Sequence, residues 1–113
     1  MTSHLARIVD AFNANRIDEV VARTTDDYYY SDQTYGRIDG AEAHKALMHE
    51  ILRRFPQRRM TIFKSWSAPG GEFGEGEWLS GTPTDGGEMV RLHFVTLIEL
   101  EGDLMRRWSF FRV

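Results

Sequence analysis

A single carboxylate follows a run of tyrosines, and this stretch has the residue types that proton transfer requires. Asp32 comes two residues after Tyr30 and four residues after Tyr28. Consecutive tyrosines favour a strand over a helix, and alternate side chains of a strand share one face. The pattern therefore predicts a strand over residues 28–32 with all three side chains on one side. A carboxylate beside phenols in an apolar space can move protons near neutral pH, and a phenol can donate to a developing oxyanion.

A second interpretation of the same stretch is structural. Short polar residues at strand ends often accept hydrogen bonds from the loop that follows, so Asp32 can instead cap residues 33–35. Tyr28 and Tyr30 can likewise pack against a helix with their hydroxyls at its rim. The sequence leaves both interpretations open. They differ in whether the carboxylate lies inside a cavity.

The composition is typical of one globular domain over residues 1–113. Hydrophobic residues make up 42% and charged residues 27%, and the net charge of -3 gives no electrostatic reason to expect a nucleic-acid partner. The absence of cysteine excludes disulfides and thiolate chemistry. No apolar run approaches the ~20 residues of a membrane span. Residues 1–4 lead into an amphipathic segment without a signal-peptide core, so we expect a cytoplasmic protein with no membrane partner.

Two periodicities divide the chain into helices followed by strands. The 3.6-residue period predicts a helix capped by Ser3, a short helix near Asp18, and a third helix over residues 41–54 that Pro56 ends. Residues 33–39 are predicted to be a loop. From residue 59 the period becomes two, and strands are predicted over residues 60–67, 73–81, 89–101 and 104–113. This order predicts an α+β domain whose helices pack on one face of a curved antiparallel sheet, with the ligand site in the hollow of the sheet.

Five local strings, in this order, resemble the NTF2-like (cystatin-like) cone. They are residues 11–18 (AFNANRID), residues 25–32 (TDDYYYSD), Gly40 before the third helix, residues 80–82 (SGT) and residues 101–111 (EGDLMRRWSFF). Within that superfamily the chain resembles the SnoaL-like group of polyketide cyclases and its relatives, the ketosteroid isomerases and limonene epoxide hydrolases. The resemblance implies a cone of three N-terminal helices packed on a curved antiparallel sheet.

The resemblance also implies acid–base chemistry that needs no cofactor. No metal site is expected, because His44 and His49 are five residues apart and point to different sides of their helix. Asp32 aligns with the catalytic base of the ketosteroid isomerases, and Tyr30 is the expected donor to the substrate oxygen. The implied function is a small isomerase, cyclase or hydrolase that acts on a compact hydrophobic molecule in the cone. The residues expected to contact that substrate are Tyr28, Phe12, Trp78, Phe94, Thr96, Trp108 and Arg112.

Three positions depart from the catalytic sets of these relatives. Ile8 stands where the isomerases place an oxyanion-donating tyrosine, and Pro83 stands where the cyclases carry a histidine. Thr96 lies near the place of a second carboxylic acid. The alternative function is therefore a non-catalytic module of the same fold that binds a small molecule or dimerises.

Alternation along residues 89–101 places Arg91, His93 and Val95 on the outer face of the sheet. Relatives commonly dimerise through this face, so the resemblance implies a homodimer in which His93 is an interface residue rather than a catalyst. The three tryptophans, at positions 66, 78 and 108, each fit either a pocket wall or a dimer contact.

Overall fold

The computed structural model describes residues 3–113, and within them the chain forms three helices and six strands. The helices are α1 (His4–Asn13), α2 (Ile17–Val20) and α3 (Ala41–Arg54). The strands are β1 (Thr24–Asp32), β2 (Gly36–Asp39), β3 (Arg59–Ala68), β4 (Gly71–Leu79), β5 (Arg91–Glu101) and β6 (Leu104–Arg112). They form one sheet in the order β2-β1-β6-β5-β4-β3. Residues 1 and 2, part of the segment considered above for a signal peptide, lie outside the described residues.

The first helix begins at its predicted cap. The Ser3 hydroxyl accepts a hydrogen bond from the Ala6 amide at 2.9 Å. Glu72 of β4 adds a second cap, because its carboxylate accepts from the backbone amides of His4 and Leu5 at 3.0 Å each. A negative charge at this end satisfies amides that have no partner within the helix and interacts favourably with the helix dipole. The third helix spans the predicted residues.

One strand pairing differs from the predicted antiparallel sheet. Strands β1 and β6 are parallel, with Tyr30 opposite Trp108 and Ser31 opposite Ser109. The sheet is therefore mixed, and the expectation of a purely antiparallel sheet is wrong at this pair. Parallel neighbours need a long connection, here supplied by β2, α3 and β3 to β5. Alternation within a strand shows which side chains share a face but does not identify the strand that pairs with it.

The segment predicted as a loop contains a strand. Residues 36–39 form β2, which pairs with β1 from Tyr29 opposite Asp39 to Asp32 opposite Gly36. Only residues 33–35 make the turn of this hairpin. The prediction of a loop over residues 33–39 is therefore wrong, because a strand of four residues is too short to show a period of two.

The first helix packs closely on the concave face of the sheet. Its apolar side, which carries Leu5, Ile8 and Phe12, is buried. Gly74 of β4 makes room for it, because a Cβ atom there would lie 2.6 Å from Leu5 Cδ2. Among residues 3–113, no helix has the length and apolar character needed to cross a membrane.

Candidate functional site

A cavity of about 270 Å³ lies between α3 and the concave face of the sheet. Ligand pockets usually measure about 300–1,000 Å³, so this cavity suits a compact molecule. Most of its wall is apolar: Phe12, Met48, Ile51, Phe55, Met60, Trp78, Val90, Leu92, Phe94, Trp108, Phe110 and Phe111. The polar members of the lining are Tyr30, Asp32, Gln33, Thr34, Tyr35, His44, Arg54, Ser80 and Arg112.

The structure brings most of the residues singled out in the sequence to this cavity. Those in its lining are Asp32, Tyr30, Phe12, Trp78, Phe94, Trp108 and Arg112. The other two expected substrate contacts, Tyr28 and Thr96, lie outside the lining, and internal hydrogen bonds engage their hydroxyls. Tyr28 bonds to His44, and Thr96 lies behind Trp108, whose indole Nε1 donates to the threonine hydroxyl at 2.8 Å.

Asp32 caps the hairpin turn and also lies in the cavity wall. Its Oδ1 caps the hairpin turn by accepting from the backbone amides of Thr34 at 2.8 Å and Tyr35 at 2.5 Å. Its Oδ2 accepts from the Tyr30 hydroxyl at 2.5 Å, and the carboxylate is part of the cavity wall. An ionised carboxylate offers about four lone-pair positions, and these contacts use three of them. One position on Oδ2 remains for another partner.

Tyr30 is directed at this carboxylate. Burial raises the pKa of Tyr30 well above its ordinary value, and the negative charge of Asp32 raises it further. The phenol therefore keeps its proton and acts as a donor. Because that donor is engaged by Asp32, Tyr30 fixes the orientation of the carboxylate instead of presenting a free hydroxyl to the cavity.

His44 also belongs to this group, and the sequence reasoning missed it. The side chain is only 2% exposed, and its Nδ1 lies 2.8 Å from the Tyr28 hydroxyl. Its ring stacks on that of Tyr30, with 4.2 Å between centroids and 17° between planes. Burial lowers the pKa of His44 to about 3, so the imidazole is neutral. The available signal was its place on a helical stripe with Met48 and Ile51, both of which line the cavity.

The rim of the cavity carries two arginines. The guanidinium of Arg112 donates to the Thr34 hydroxyl at 2.7 Å, so it bonds to the hairpin turn. Arg54 pairs with Asp85 at 3.3 Å. Within residues 3–113, no three histidine or carboxylate side chains cluster in a way that could hold a metal ion.

The tryptophans are divided between the two faces of the sheet. Trp78 and Trp108 line the cavity, so for these two the pocket-wall alternative is the one observed. Trp66 is 53% exposed and lies opposite Phe73 in the strand register, outside the cavity lining. His93 is also exposed, and its ring meets the edge of Phe63 at 5.7 Å between centroids.

Three helices on the concave face of a curved sheet, with an apolar cavity between them, define an NTF2-like (cystatin-like) α+β protein. Residues 5–108 match the family model of the SnoaL-like domain, and the chain belongs to this family. No curated protein matches the chain.

Solved structures share the fold at low sequence identity. An uncharacterized cystatin-fold protein from Novosphingobium aromaticivorans is 23% identical, with a TM-score of 0.86 over 95% of this chain and 93% of that one. A protein with a ketosteroid isomerase-like fold from Catenulispora acidiphila, in complex with trimethylamine, is 14% identical, with a TM-score of 0.85 over 97% and 85% of the two chains. An LEH-like epoxide hydrolase from M. tuberculosis is 16% identical, with a TM-score of 0.80 over 97% and 80%. At these identities the likeness shows the fold alone.

Proposed function

We propose that this protein is a small acid–base enzyme that acts on a compact apolar molecule bearing a carbonyl or epoxide oxygen. Asp32 is the group that transfers the proton. The observation that carries the proposal is the lone-pair position left on Asp32 Oδ2, since this carboxylate is part of the wall of an apolar cavity. The epoxide hydrolase among the solved structures supports the class of chemistry by analogy of fold.

For a ketone, the step is a proton transfer at carbon. Asp32 Oδ2 takes a proton from the carbon next to the carbonyl, and the electrons of that C–H bond form an enolate whose oxygen carries the charge. Returning the proton to the same carbon gives exchange, and returning it to another carbon gives isomerisation. Tyr30 holds the carboxylate in place, and the apolar wall limits the access of water. The step uses no cofactor because atoms and electrons already balance.

The test follows exchange of the acidic hydrogens of 2-tetralone in deuterium oxide by proton NMR, with styrene oxide as a parallel epoxide substrate. Asp32→Asn is expected to lower the rate by about 100-fold or more, the usual contribution of a positioned acid or base. Asp26→Asn is the matched control, because Asp26 is exposed on the same strand. Equal rates for wild type and Asp32→Asn, with both variants folded by circular dichroism, would overturn the proposal.

A second candidate function is ligand binding without chemistry. The observation in its favour is the pair of backbone amides on Asp32 Oδ1, since a carboxylate that caps a turn needs no catalytic reason to be there. It predicts saturable quenching of Trp78 and Trp108 fluorescence by 2-tetralone with no exchange and no epoxide opening. Turnover that depends on Asp32 would exclude it.

We also propose that the outer face of the sheet pairs with a second copy of the chain. Exposed apolar side chains extend across it: Phe63, Trp66, Phe73 and Val95. Charges of both signs, Lys64 and Arg91 with Glu75 and Glu77, accompany them across β3 to β5. A two-fold axis brings one such patch against itself, so opposite charges can meet. Light scattering at micromolar concentration is expected to give the mass of a dimer for wild type and of a monomer for Trp66→Lys. A monomeric wild type would contradict the proposal.

A further inference from the structure

The hydrogen bond between Tyr28 and His44 settles which imidazole nitrogen carries the proton. Tyr28 is 1% exposed, and burial raises its pKa above the ordinary range, so the phenol is protonated. Its hydroxyl has His44 Nδ1 as its hydrogen-bond partner within residues 3–113. If Nδ1 carried a hydrogen, the phenolic hydrogen would be buried without an acceptor, at a cost of about 1–3 kcal/mol. Tyr28 therefore donates to Nδ1, and the imidazole hydrogen is on Nε2.

The protonated nitrogen Nε2 opens onto the cavity. No group of residues 3–113 forms a hydrogen bond with it. Among residues 3–113, the side-chain nitrogen that is inaccessible to solvent and also lacks a hydrogen-bond partner is Arg58 Nε. His44 Nε2 is therefore not such an atom. Since His44 Nε2 is not sealed, it must border open space, and the open space that this buried side chain borders is the cavity.

We propose that His44 Nε2–H is the hydrogen-bond donor for an uncharged oxygen of the ligand, either a carbonyl or an ether-type oxygen. This inference rests on the proposed function in taking the cavity as the ligand site, and it adds the chemical class of the ligand. The imidazole offers a hydrogen but no positive charge, so it does not compensate an anionic group.

His44 Nε2–H would donate to the substrate oxygen, which Tyr30 cannot do because its hydroxyl is engaged by Asp32. In the proton-transfer step the charge moves to the carbonyl oxygen, and a fixed neutral donor at that oxygen stabilises the developing enolate. Tyr28 holds the ring by its other nitrogen, and stacking on Tyr30 holds its plane. His44 would thus be a binding residue for the oxygen, and Tyr28 a positioning residue.

The test compares two ligands that differ by one carbonyl, 2-tetralone and the hydrocarbon tetralin. Dissociation constants are measured by tryptophan fluorescence in a Trp66→Phe background. We expect His44→Phe to lower the preference for the ketone over the hydrocarbon by about tenfold, the effect of roughly 1.4 kcal/mol. His49→Phe is the matched control, because His49 is exposed on the same helix. A preference that stays the same in His44→Phe would overturn the inference.

Nitrogen-detected NMR of the imidazole gives a readout that a packing role would not move. In wild type, Nε2 is expected to be protonated, and its proton resonance is expected to shift with 2-tetralone but not with tetralin. Tyr28→Phe keeps His44 but frees its ring, so the ketone preference is expected to fall there too. An Nε2 without a proton in the free protein would overturn the inference.

The design separates failure of this inference from failure of the proposed function. The ketone preference is a ratio of affinities and needs no turnover. If Asp32→Asn exchanges as fast as wild type while His44→Phe loses the ketone preference, the proposed enzyme activity is refuted and the role of His44 as donor is supported. If Asp32→Asn loses exchange while His44→Phe keeps the ketone preference, the role of His44 as donor is refuted and the proposed enzyme activity stands.

Discussion

Two buried polar clusters meet at the Trp108 indole, and they differ in how completely their hydrogen bonds are used. The closed cluster consists of Thr96, Trp108 and Ser109. The indole donates to the Thr96 hydroxyl, and that hydroxyl donates to the backbone carbonyl of Ser109, both at 2.8 Å. The Ser109 hydroxyl bonds to Ser31 at 2.6 Å and accepts from Arg107 at 2.8 Å. Every polar side-chain group of this cluster has a protein partner.

The open cluster consists of Tyr28, Tyr30, Asp32 and His44. Tyr28, Tyr30 and His44 are buried and Asp32 is half-buried. Within residues 3–113, His44 Nε2 and one lone-pair position of Asp32 have no hydrogen-bond partner. Satisfied buried networks fix a core, whereas an incomplete one costs stability unless something else completes it. The closed cluster links β5 to β6, and we propose that a ligand completes the open cluster.

Acid is expected to separate the two clusters most strongly. The pKa of His44 is 6.5 in the unfolded chain and about 3 in the folded protein. Between these two pH values the unfolded chain binds a proton at His44 and the folded protein does not. The contribution of His44 is therefore complete above pH 6.5 and is lost as the pH falls toward 3. Between pH 7 and pH 4 this amounts to about 3 kcal/mol of unfolding free energy.

Urea unfolding at the two pH values measures this loss. His44→Phe is expected to flatten the dependence by about that amount, while the exposed control His49→Phe keeps the wild-type slope. Two other titratable groups pack against His44, namely Tyr28 and Tyr30, and both stay neutral throughout this range. Asp32 is present in wild type, in His44→Phe and in His49→Phe. Parallel slopes for wild type and His44→Phe would contradict the open cluster as described.

The closed cluster is expected to respond in stability rather than in binding. Thr96→Val keeps the shape of the side chain but leaves the Trp108 Nε1–H without its acceptor. A buried donor left unpaired costs about 2 kcal/mol. Urea midpoints are expected to fall accordingly, while the affinity for 2-tetralone stays within a factor of about two because Thr96 is outside the cavity lining. A large loss of affinity with little loss of stability would reverse the assigned roles of the clusters.

The outer face supplies the smallest expected effect. Trp66→Phe changes an exposed side chain, so in the monomer its cost is expected to stay within about 0.5 kcal/mol. It removes the fluorescence that comes from outside the cavity and is expected to increase the fractional quenching by 2-tetralone. Quenching that disappears in this variant would locate the ligand on the outer face.

The sequence was sufficient for the parts of the fold that local rules determine. Ser3 and the apolar period located α1, and Gly40 with Pro56 bounded α3. Alternation placed Tyr30 with Asp32 and placed Phe94 on the concave side. These features depend on neighbours a few residues apart, which is why a single sequence reveals them.

The remainder depends on contacts between distant residues. The parallel pairing of β1 with β6 joins residues about 80 positions apart, and nothing in either strand specifies it locally. His44 was missed because its surroundings come from Tyr28 and Tyr30, which lie on another element. The engagement of the Tyr30 hydroxyl by Asp32 is likewise a matter of side-chain orientation, which strand alternation allows but does not fix.

The most direct measurement is an NMR titration of the three indole N–H groups and the His44 Nε2 proton with 2-tetralone. Saturable shifts are expected for Trp78, Trp108 and His44, which line the cavity, and no shift is expected for Trp66, which is exposed outside it. Shifts confined to Trp66, or no saturable shift at His44 and the two cavity tryptophans, would contradict the claim that the open cluster is the functional site.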